Sequence, residues 1–257
     1  MKSNDWYDYP EYWEMAFAED TPLETKFIEA ACKKYVPGPL RRMFEPGCGS
    51  GRLVVSLARR GYHVVGFDLN QPSLEFLRKR IARGKLPAEA LSLDMTDFTL
   101  DQPCDAAFCT FSTFRHLPTE EAAEKHLQSV ARNLRSGGIY VLGLHLVPPD
   151  ASDESCERWR AEKGKTRVFY TLTVIEANRR RRYELMRATM RAWTPRGEIK
   201  LRHEFKLRLY NATQMRRLLA SAPEFELCDV FDFNYDLDHP LKLNNELSDT
   251  ILILRKK

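Results

Sequence analysis

The stretch Glu45-Pro46-Gly47-Cys48-Gly49-Ser50-Gly51 lies between a short strand pattern, 42–45, and a helix pattern at 52–60. Glycines between a strand and a helix allow the backbone to approach a ligand closely. The first turn of the helix adds free N–H groups and the positive end of its dipole. The sequence therefore predicts a Rossmann-like fold whose first loop binds a ligand with an anionic group.

The spacing of these glycines restricts the ligand. A dinucleotide fingerprint has the form G-x-G-x-x-G/A, and its third small residue permits tight packing around a pyrophosphate. Counted from Gly47, that third position is occupied by Arg52, and the sequence reads G-x-G-x-G instead. The bulk of Arg52 disfavours a nicotinamide dinucleotide.

Short apolar segments alternate with helix patterns on both sides of this loop. Strands are predicted at 42–45, 63–68, 90–94, 105–110 and 139–144, and helices at 23–35, 52–60, 72–82 and 119–134. Such alternation is typical of a parallel sheet covered by helices on both faces. The first part of the chain is therefore predicted to be a doubly wound α/β domain.

After residue 145 the pattern changes to a period of two. Apolar and polar residues alternate over 166–175, 182–193 and 198–210, with turn residues between these segments. This predicts an antiparallel β meander with one buried face, inserted after the fifth strand. The α/β pattern then resumes with a helix at 212–221 and strands at 225–233 and 250–254.

Composition and charge exclude several classes of protein. The 257 residues are 43% hydrophobic and 30% charged, which is ordinary for a globular chain, and the net charge of +4 is too small to indicate a nucleic-acid partner by itself. No apolar run is long enough for a membrane span, and the N-terminus does not resemble a signal peptide. The six cysteines are scattered without a CxxC pair, which favours free thiols in a cytoplasmic protein.

Two acidic residues are predicted at the carboxyl ends of neighbouring strands, where ligands of such sheets bind. Asp68 ends the second strand at the position where an acid can accept hydrogen bonds from a ribose hydroxyl pair, and the alternative is a helix N-cap or a loop acid. Asp94 ends the third strand and precedes Met95. The carboxylate there can accept a hydrogen bond from the exocyclic amine of adenine while Met95 covers the ring. Alternatively, Asp94 is a solvent-exposed acid at the end of the strand.

With these features, residues 41–145 resemble the class I S-adenosylmethionine-dependent methyltransferases. The resemblance rests on five motifs in order: EPGCGSGR at 45–52, GFDLNQPSL at 66–74, LDMTDF at 93–98, CTFSTFRHL at 109–117 and RNLRSGGIYVLGLHL at 132–146. It implies S-adenosylmethionine as the cofactor and S-adenosylhomocysteine as the product. It also implies a seven-stranded sheet whose last strand, 250–254, runs antiparallel beside 225–233.

The resemblance also implies a set of cofactor contacts. These are Glu45, Gly47, Cys48, Gly49 and Gly51 in the glycine loop, Asp68 and Leu69 after the second strand, Asp94 and Met95 after the third, and Thr110 after the fourth. We divide the single methyltransferase domain, 1–257, into an N-terminal helical and aromatic cap at 1–40 and a cofactor-binding core at 41–150. The antiparallel insertion follows at 156–210, and the end of the core at 211–257.

Within the family the chain is most similar to small-molecule N-methyltransferases of the glycine and amino-sugar type, because of the F-S-x-x-x-H-L pattern at 111–117 and the inserted meander. The Asn/Asp-Pro-Pro-Tyr/Phe motif of DNA amine methylases is absent. Methylases that form carbon–carbon bonds on RNA use a cysteine near the same loop, but Cys104 lies at the wrong end of its strand. We interpret Cys104 as a core residue.

Methyl transfer requires an unprotonated acceptor aligned with the methyl group, and a general base is needed only for a protonated acceptor. His116 after the fourth strand and His145 at the end of the fifth are the catalytic candidates. Alternatively, His116 is a loop histidine that hydrogen-bonds to the backbone, and His145 is a buried histidine whose hydrogen bonds are made within the protein. His203 on the apolar face of the meander is a candidate for contact with the acceptor.

The N-terminal aromatic residues offer a cover for the site. Tyr7, Tyr12 and Trp13 could lie over the cofactor's sulfonium and favour it by cation–π attraction, and Tyr12 is the strongest candidate; aromatic packing on the sheet is the alternative. Trp13 and Arg115 are also candidates for contact with the substrate. Arg115 could instead reach the cofactor carboxylate, whereas Arg52 is expected to be a solvated helix residue.

Three functions remain open at this point. The enclosed site favours a small-molecule acceptor, most simply an amine nitrogen, with no metal. The basic run Arg179 to Arg182 would serve an RNA or protein methyltransferase, but a solvated hairpin tip explains it as well. A cofactor-binding protein without catalysis would keep the same glycine loop. The exposed edge of the meander could also pair with a second copy to form a homodimer.

Overall fold

The computed structural model describes residues 5–257, which form a seven-stranded and a four-stranded sheet with six α-helices. The strands are β1 (Arg42–Pro46), β2 (His63–Asp68), β3 (Ala88–Ser92), β4 (Cys104–Cys109), β5 (Leu134–His145), β6 (Cys156–Lys163), β7 (Thr166–Asn178), β8 (Tyr183–Thr194), β9 (Gly197–Arg208), β10 (Phe225–Phe231) and β11 (Asp249–Lys256). The helices are α1 (Pro10–Ala16), α2 (Thr21–Tyr35), α3 (Arg52–Ala58), α4 (Gln71–Gly84), α5 (Glu120–Asn133) and α6 (Ala212–Ala220).

The large sheet has the strand order β10-β11-β5-β4-β1-β2-β3. Strands β5, β4, β1, β2 and β3 pair in parallel, whereas β11 pairs antiparallel with both β5 and β10. The predicted fold class, with its antiparallel last strand, is confirmed. Because parallel strands end at the same edge, the loops after β1, β2, β4 and β5 open on one side of the sheet.

Helices cover both faces of this sheet and bury its apolar side chains. On one face Leu127 and Val130 of α5 and Leu218 of α6 pack with the strands. On the other face Ile28 of α2 and Leu53 of α3 do the same, and all of these side chains are at most 1% exposed. Burial on both faces fixes the strand ends, and therefore the loops that carry the site.

The inserted sheet has four antiparallel strands in the order β6-β7-β8-β9, one more than the sequence predicted. The three predicted strands, at 166–175, 182–193 and 198–210, are confirmed as β7, β8 and β9. Strand β6, CERWRAEK, was missed because most of its residues are exposed and it lacks alternating apolar residues. The remaining division of the chain into segments stays a prediction.

The N-terminal segment packs on the inner face of the inserted sheet. A short 3₁₀ helix, Trp6–Asp8, precedes α1, and Trp6 is only 4% exposed among Tyr170, Met190 and Leu201. Residues 1–4 of the predicted cap, together with the start of the chain that was expected not to be a signal peptide, lie outside the described residues. No helix within 5–257 is long and apolar enough to span a membrane.

Candidate functional site

The glycine loop joins β1 to α3 and depends on left-handed backbone conformations. Gly47, Gly49 and Gly51 have φ of 64°, 52° and 72°, which residues with a Cβ rarely adopt. A Cβ added at Gly47 would lie 2.5 Å from Cγ2 of Thr113, and one at Gly51 would lie 2.4 Å from Leu77. No atom of residues 5–257 lies within 4 Å of a Cβ added at Gly49. Two of the glycines therefore permit close packing, and Gly49 leaves open space.

Asp68 lies at the end of β2 and holds the glycine loop in place. One carboxylate oxygen accepts a hydrogen bond from the Gly49 N–H at 2.8 Å, and the other accepts from the Asn70 N–H at 2.9 Å. Asn70 in turn caps α4, because its side chain accepts from the Ser73 N–H at 2.9 Å. Asn70, not Asp68, is thus the N-cap of α4.

A cavity of about 800 Å³ extends from the glycine loop to the inner face of the inserted sheet. The predicted site residues that line it are Glu45, Gly47, Cys48, Gly49, Asp68, Leu69, Met95, Thr110, Trp13, Arg115, His116 and His145. Four others are absent from its wall: Tyr12, Gly51, Asp94 and His203. The structure therefore brings both ends of the predicted site into one space.

At one end of the cavity, Glu45 and Arg52 are buried beneath the glycine loop. Burial raises the pKa of the Glu45 carboxyl well above its usual value, and its Oε2 has no hydrogen-bond partner within residues 5–257. The Arg52 side chain is 5% exposed, forms an ion pair with fully buried Glu24 and lies 5.2 Å from the ring centre of Phe111. The prediction of a solvated Arg52 was wrong, since Glu24 neutralises the buried guanidinium.

Next to the glycine loop, Met95 lines the cavity but Asp94 does not. Asp94 is exposed and accepts hydrogen bonds from the N–H and hydroxyl of Thr96, both at 2.8 Å. The Met95 carbonyl lies 2.8 Å from Nδ1 of His126, whose Nε2 lies 2.8 Å from the hydroxyl of Tyr140. These contacts place Met95 at the wall and turn Asp94 outward.

His126 is a site-supporting residue that the sequence reasoning missed. Its side chain is fully buried on α5, and desolvation lowers its pKa to about 4. A neutral imidazole carries one N–H, so His126 can donate to the Met95 carbonyl while accepting from Tyr140. The available signal was a histidine on the apolar face of an amphipathic helix.

His116 lies in the middle of the cavity against the N-terminal segment. The Tyr7 hydroxyl and His116 Nε2 are 3.1 Å apart, and the His116 ring stacks on Phe205 at 5.4 Å between centres. The His116 side chain is accessible from the cavity but is surrounded by protein atoms. The resulting desolvation lowers its pKa to about 4. His116 is therefore a neutral hydrogen-bonding group at physiological pH.

His145 has a different environment at the end of β5. Its Nδ1 lies 2.7 Å from Oδ1 of Asp249, which is directly opposite on β11, and this hydrogen bond lowers the pKa of Asp249. The His145 N–H donates to Oγ of Ser112 at 3.0 Å. Ser112 and Phe111 have φ of 61° and 60°, a left-handed conformation that is strained for residues with a Cβ.

Asp249 is a second residue that the sequence reasoning did not identify. A carboxylate on Nδ1 fixes the ring orientation of His145 and leaves Nε2 free to accept a proton. The His145 side chain is 44% exposed, so a proton accepted there can pass to water. His145 thus has the geometry of a base at the cavity wall whose ring is oriented by Asp249.

The N-terminal segment contributes Tyr7 and Trp13 to the cavity wall, while Tyr12 lies outside it. Consecutive residues of a helix project about 100° apart, so Trp13 and Tyr12 of α1 cannot face the same side. Trp13 packs on Phe17 at 4.7 Å between ring centres, whereas Tyr12 stacks on Tyr9. Of the three aromatic residues predicted to cover the site, Tyr7 and Trp13 thus line the cavity, whereas Tyr12, the strongest candidate, does not.

The same segment is held to α4 by side-chain hydrogen bonds. Ser73 donates from its hydroxyl to the Tyr7 carbonyl at 3.0 Å, and Asn70 donates from its side-chain amide to Asp8 at 2.6 Å. Arg80 of α4 pairs with Glu14 and also donates to the Ser50 carbonyl at 3.1 Å. The segment therefore closes one side of the cavity over the glycine loop.

The far end of the cavity is bounded by the inserted sheet. Arg115 is 4% exposed, pairs with Glu184 of β8 and donates from Nε to the Arg208 carbonyl at 2.9 Å. His203 lies outside the cavity wall, where its Nδ1 lies 3.2 Å from Asp5. Arg115 therefore ties the inserted sheet to the loop after β4.

The basic run at the β7–β8 turn is partly engaged within the chain. Arg179 pairs with Asp153 at 2.8 Å and donates to the Ala151 carbonyl, while Arg182 pairs with Glu120 at 2.7 Å. Arg182 also lies 4.9 Å from the ring centre of Tyr210. Two of the four arginines thus anchor the tip of the inserted sheet to the core.

Comparison with known proteins adds a family match. Residues 44–138 match a family model described as "Methyltransferase domain". The cypemycin N-terminal methyltransferase of a Streptomyces species is 34% identical over 102 residues, which cover 40% of this chain and 41% of that protein. The ubiquinone biosynthesis O-methyltransferase of Hahella chejuensis is 37% identical over 147 residues, which cover 50% of this chain and 58% of that protein. The chain spans about half the length of the curated relatives it matches.

Among solved structures, the sugar N-methyltransferase KedS8 of a Streptoalloteichus species has a similar fold. The TM-score is 0.76 at 17% identity, with 100% of this chain and 95% of that chain covered. At this identity the likeness concerns the fold. Together with the family match, it confirms the resemblance that the five sequence motifs predicted.

Proposed function

We propose that the class I S-adenosylmethionine-dependent methyltransferase domain carried by this chain transfers a methyl group to a small-molecule amine. One observation carries the proposal: the glycine loop and the inner face of the inserted sheet line the same cavity of about 800 Å³. A cavity of that size is typical of a site for small molecules, such as a cofactor with a small acceptor.

The residues of the glycine loop suit S-adenosylmethionine. Glu45 offers a buried oxygen without a partner, which suits an ammonium group, and Arg52 is the nearby cation for a carboxylate. The open space at Gly49 permits close approach to the backbone, and Asp68 and Met95 are our candidates for the ribose and adenine. When bound, S-adenosylmethionine supplies a methyl group that is already activated on a sulfonium.

The chain itself has to align the acceptor and remove its proton. Neutral His116, in contact with the Tyr7 hydroxyl, can orient an amine by a hydrogen bond. A protonated amine must lose a proton before its lone pair can attack, and Nε2 of His145 can accept that proton because the ring hydrogen is held on Nδ1 by Asp249. We assign the orienting role to His116 and the base to His145.

Calorimetric titration with S-adenosylmethionine, S-adenosylhomocysteine and NAD side by side tests the cofactor. We expect micromolar binding of the two adenosyl compounds and none of NAD. Binding of NAD alone would overturn the proposal. Turnover is then measured as release of S-adenosylhomocysteine with a panel of primary and secondary amines, and with phenols as the comparison.

His116→Asn and His145→Gln separate the two assigned roles. We expect both variants to keep their affinity for S-adenosylhomocysteine. His145→Gln should lose turnover most strongly at low pH, where more of the amine is protonated, and His116→Asn should lose it at every pH. Equal loss of turnover and of cofactor affinity would identify either histidine as structural.

The alternative of an RNA or protein methyltransferase has weaker support. It depended on the basic run, and Arg179 and Arg182 are occupied by contacts within the chain. A binding protein without catalysis would bind S-adenosylhomocysteine but show no turnover with any acceptor. The assay above therefore distinguishes it from an enzyme.

A further inference from the structure

We infer that the acceptor is a cationic amine on an apolar body, that it carries no phosphate, and that Glu157 binds its ammonium group before His145 accepts the proton. The inference rests on the proposed function and adds the chemical class of the acceptor. It follows from the charges on the cavity wall, from the environment of Glu157 and from the side chains beside it.

Carboxylates outnumber cations on the cavity wall. Within residues 5–257 the acidic lining residues are Asp5, Asp68, Glu157 and Glu184, together with Glu45, whose raised pKa favours the neutral carboxyl, and the lysine and arginine residues are Arg52 and Arg115 alone. A wall with this balance repels phosphate groups and attracts cations.

Neither arginine is left for a phosphate on the acceptor. Arg52 is paired with fully buried Glu24 and is the candidate for the cofactor carboxylate, and Arg115 is paired with Glu184. Taking either guanidinium away would leave an uncompensated buried carboxylate, which is strongly unfavourable. A phosphate in the cavity would therefore meet no free cation from the described part of the chain.

Glu157 differs from the other acidic lining residues. It lies near the start of β6, its side chain is exposed on the cavity wall, and its carboxylate forms no hydrogen bond or ion pair with any residue of 5–257. Asp68 and Glu184, by contrast, are engaged by backbone N–H groups and by Arg115. Glu157 is thus a carboxylate that is available to a ligand.

The surroundings of Glu157 suit an ammonium group with an apolar substituent. Trp159 lies two residues further along β6 on the same face, and Leu172 is directly opposite Glu157 on β7. A carboxylate beside an aromatic ring recognises an ammonium by charge-assisted hydrogen bonds and cation–π attraction. Strands β7, β8 and β9 add the apolar side chains of Val174, Met186, Phe205 and Leu207 to the cavity wall.

The test uses the full-length protein saturated with S-adenosylhomocysteine and three matched probes. These are tyramine, tyramine O-phosphate and 3-(4-hydroxyphenyl)propionic acid, titrated by calorimetry. We expect tyramine to bind at least tenfold more tightly than either anionic probe. Equal or tighter binding of the phosphate, or no binding of tyramine, would overturn the inference.

Glu157→Gln should weaken tyramine binding about tenfold or more, as expected for a lost charge-assisted contact, without changing the affinity for S-adenosylhomocysteine. Glu162→Gln is the matched control, because Glu162 lies on the same strand, is absent from the cavity wall and pairs with Arg160. Equal effects of both substitutions would exclude a specific role for Glu157. Failure of S-adenosylhomocysteine to bind would instead refute the proposed function.

Discussion

Replacing Gly47 and Gly49 one at a time by alanine separates two reasons for a glycine in the same loop. Both have positive φ, so alanine at either position should cost about 1–2 kcal/mol of unfolding free energy. Only at Gly47 does the added Cβ meet a neighbour, Cγ2 of Thr113 at 2.5 Å, and overpacking of this kind costs about 1–3 kcal/mol more. We therefore expect Gly47→Ala to destabilise the protein by about 2–5 kcal/mol and Gly49→Ala by less.

Thr113→Ala tests whether the collision is the cause. It removes Cγ2, and the Cβ of residue 113 would then lie 3.9 Å from the new methyl group, an ordinary contact. In a double-mutant cycle, Thr113→Ala should recover about 1–3 kcal/mol of the loss in Gly47→Ala and nothing in Gly49→Ala.

Urea unfolding without any ligand, followed by circular dichroism, measures all of these free energies. Equal destabilisation by the two alanine variants, or no coupling between positions 47 and 113, would refute this reasoning. A second readout concerns the ligand. No atom of residues 5–257 lies within 4 Å of the methyl group added at Gly49, and Gly49 lines the cavity proposed to hold the cofactor. The methyl group should therefore occupy space that the cofactor needs, so Gly49→Ala should remain folded and lose affinity for S-adenosylhomocysteine.

Three further predictions concern charges. Asp68→Ala should weaken binding of S-adenosylhomocysteine by roughly 1–3 kcal/mol in calorimetry, and unchanged affinity would remove Asp68 from the site. His126 has a pKa of about 4 when folded and about 6.5 when unfolded, so its share of stability is complete above pH 6.5 and is lost as the pH falls. Between pH 6.5 and 5 the unfolding free energy of the wild type should drop about 1–2 kcal/mol more than that of His126→Asn; parallel curves would contradict this. Serine at both Arg179 and Arg182 should lower the melting temperature and spare small-molecule methylation, whereas serine at the two arginines between them should leave both unchanged.

The sequence predicted the large sheet well because its signals are local. The glycine loop, the strand-end acid Asp68 and the alternation of apolar segments are each visible within about ten residues. Asp249 could not be found in this way, because its importance depends on register: β11 places it opposite His145, 104 residues away in the chain. Contacts of that kind depend on which strands become neighbours.

Buried charge and helix orientation were the other sources of error. Arg52 was expected at the surface because arginine is rarely buried without a partner, and its partner Glu24 belongs to a different helix. The sequence analysis favours Tyr12 over Tyr7 and Trp13, but the side of α1 that faces the cavity is set by its packing on the inserted sheet and on α4, and this packing places Trp13 at the wall. Strand β6 escaped detection because Glu157 and its neighbours lack the apolar alternation of a half-buried strand.

The hydrogen bonds that hold the N-terminal segment to α4 have a kinetic consequence. Ser73, Asn70 and Arg80 bind this segment at three separate points, next to the loop that is proposed to hold the cofactor. Exchange of the cofactor through this wall requires the three contacts to open together, so its dissociation should be slow compared with that of the acceptor. The reaction should then follow a compulsory order, in which S-adenosylmethionine binds first and S-adenosylhomocysteine leaves last. Ser73→Ala, which removes one of the three contacts, should shorten the residence time of S-adenosylhomocysteine in stopped-flow displacement, and an unchanged residence time would show that the cofactor leaves by another route.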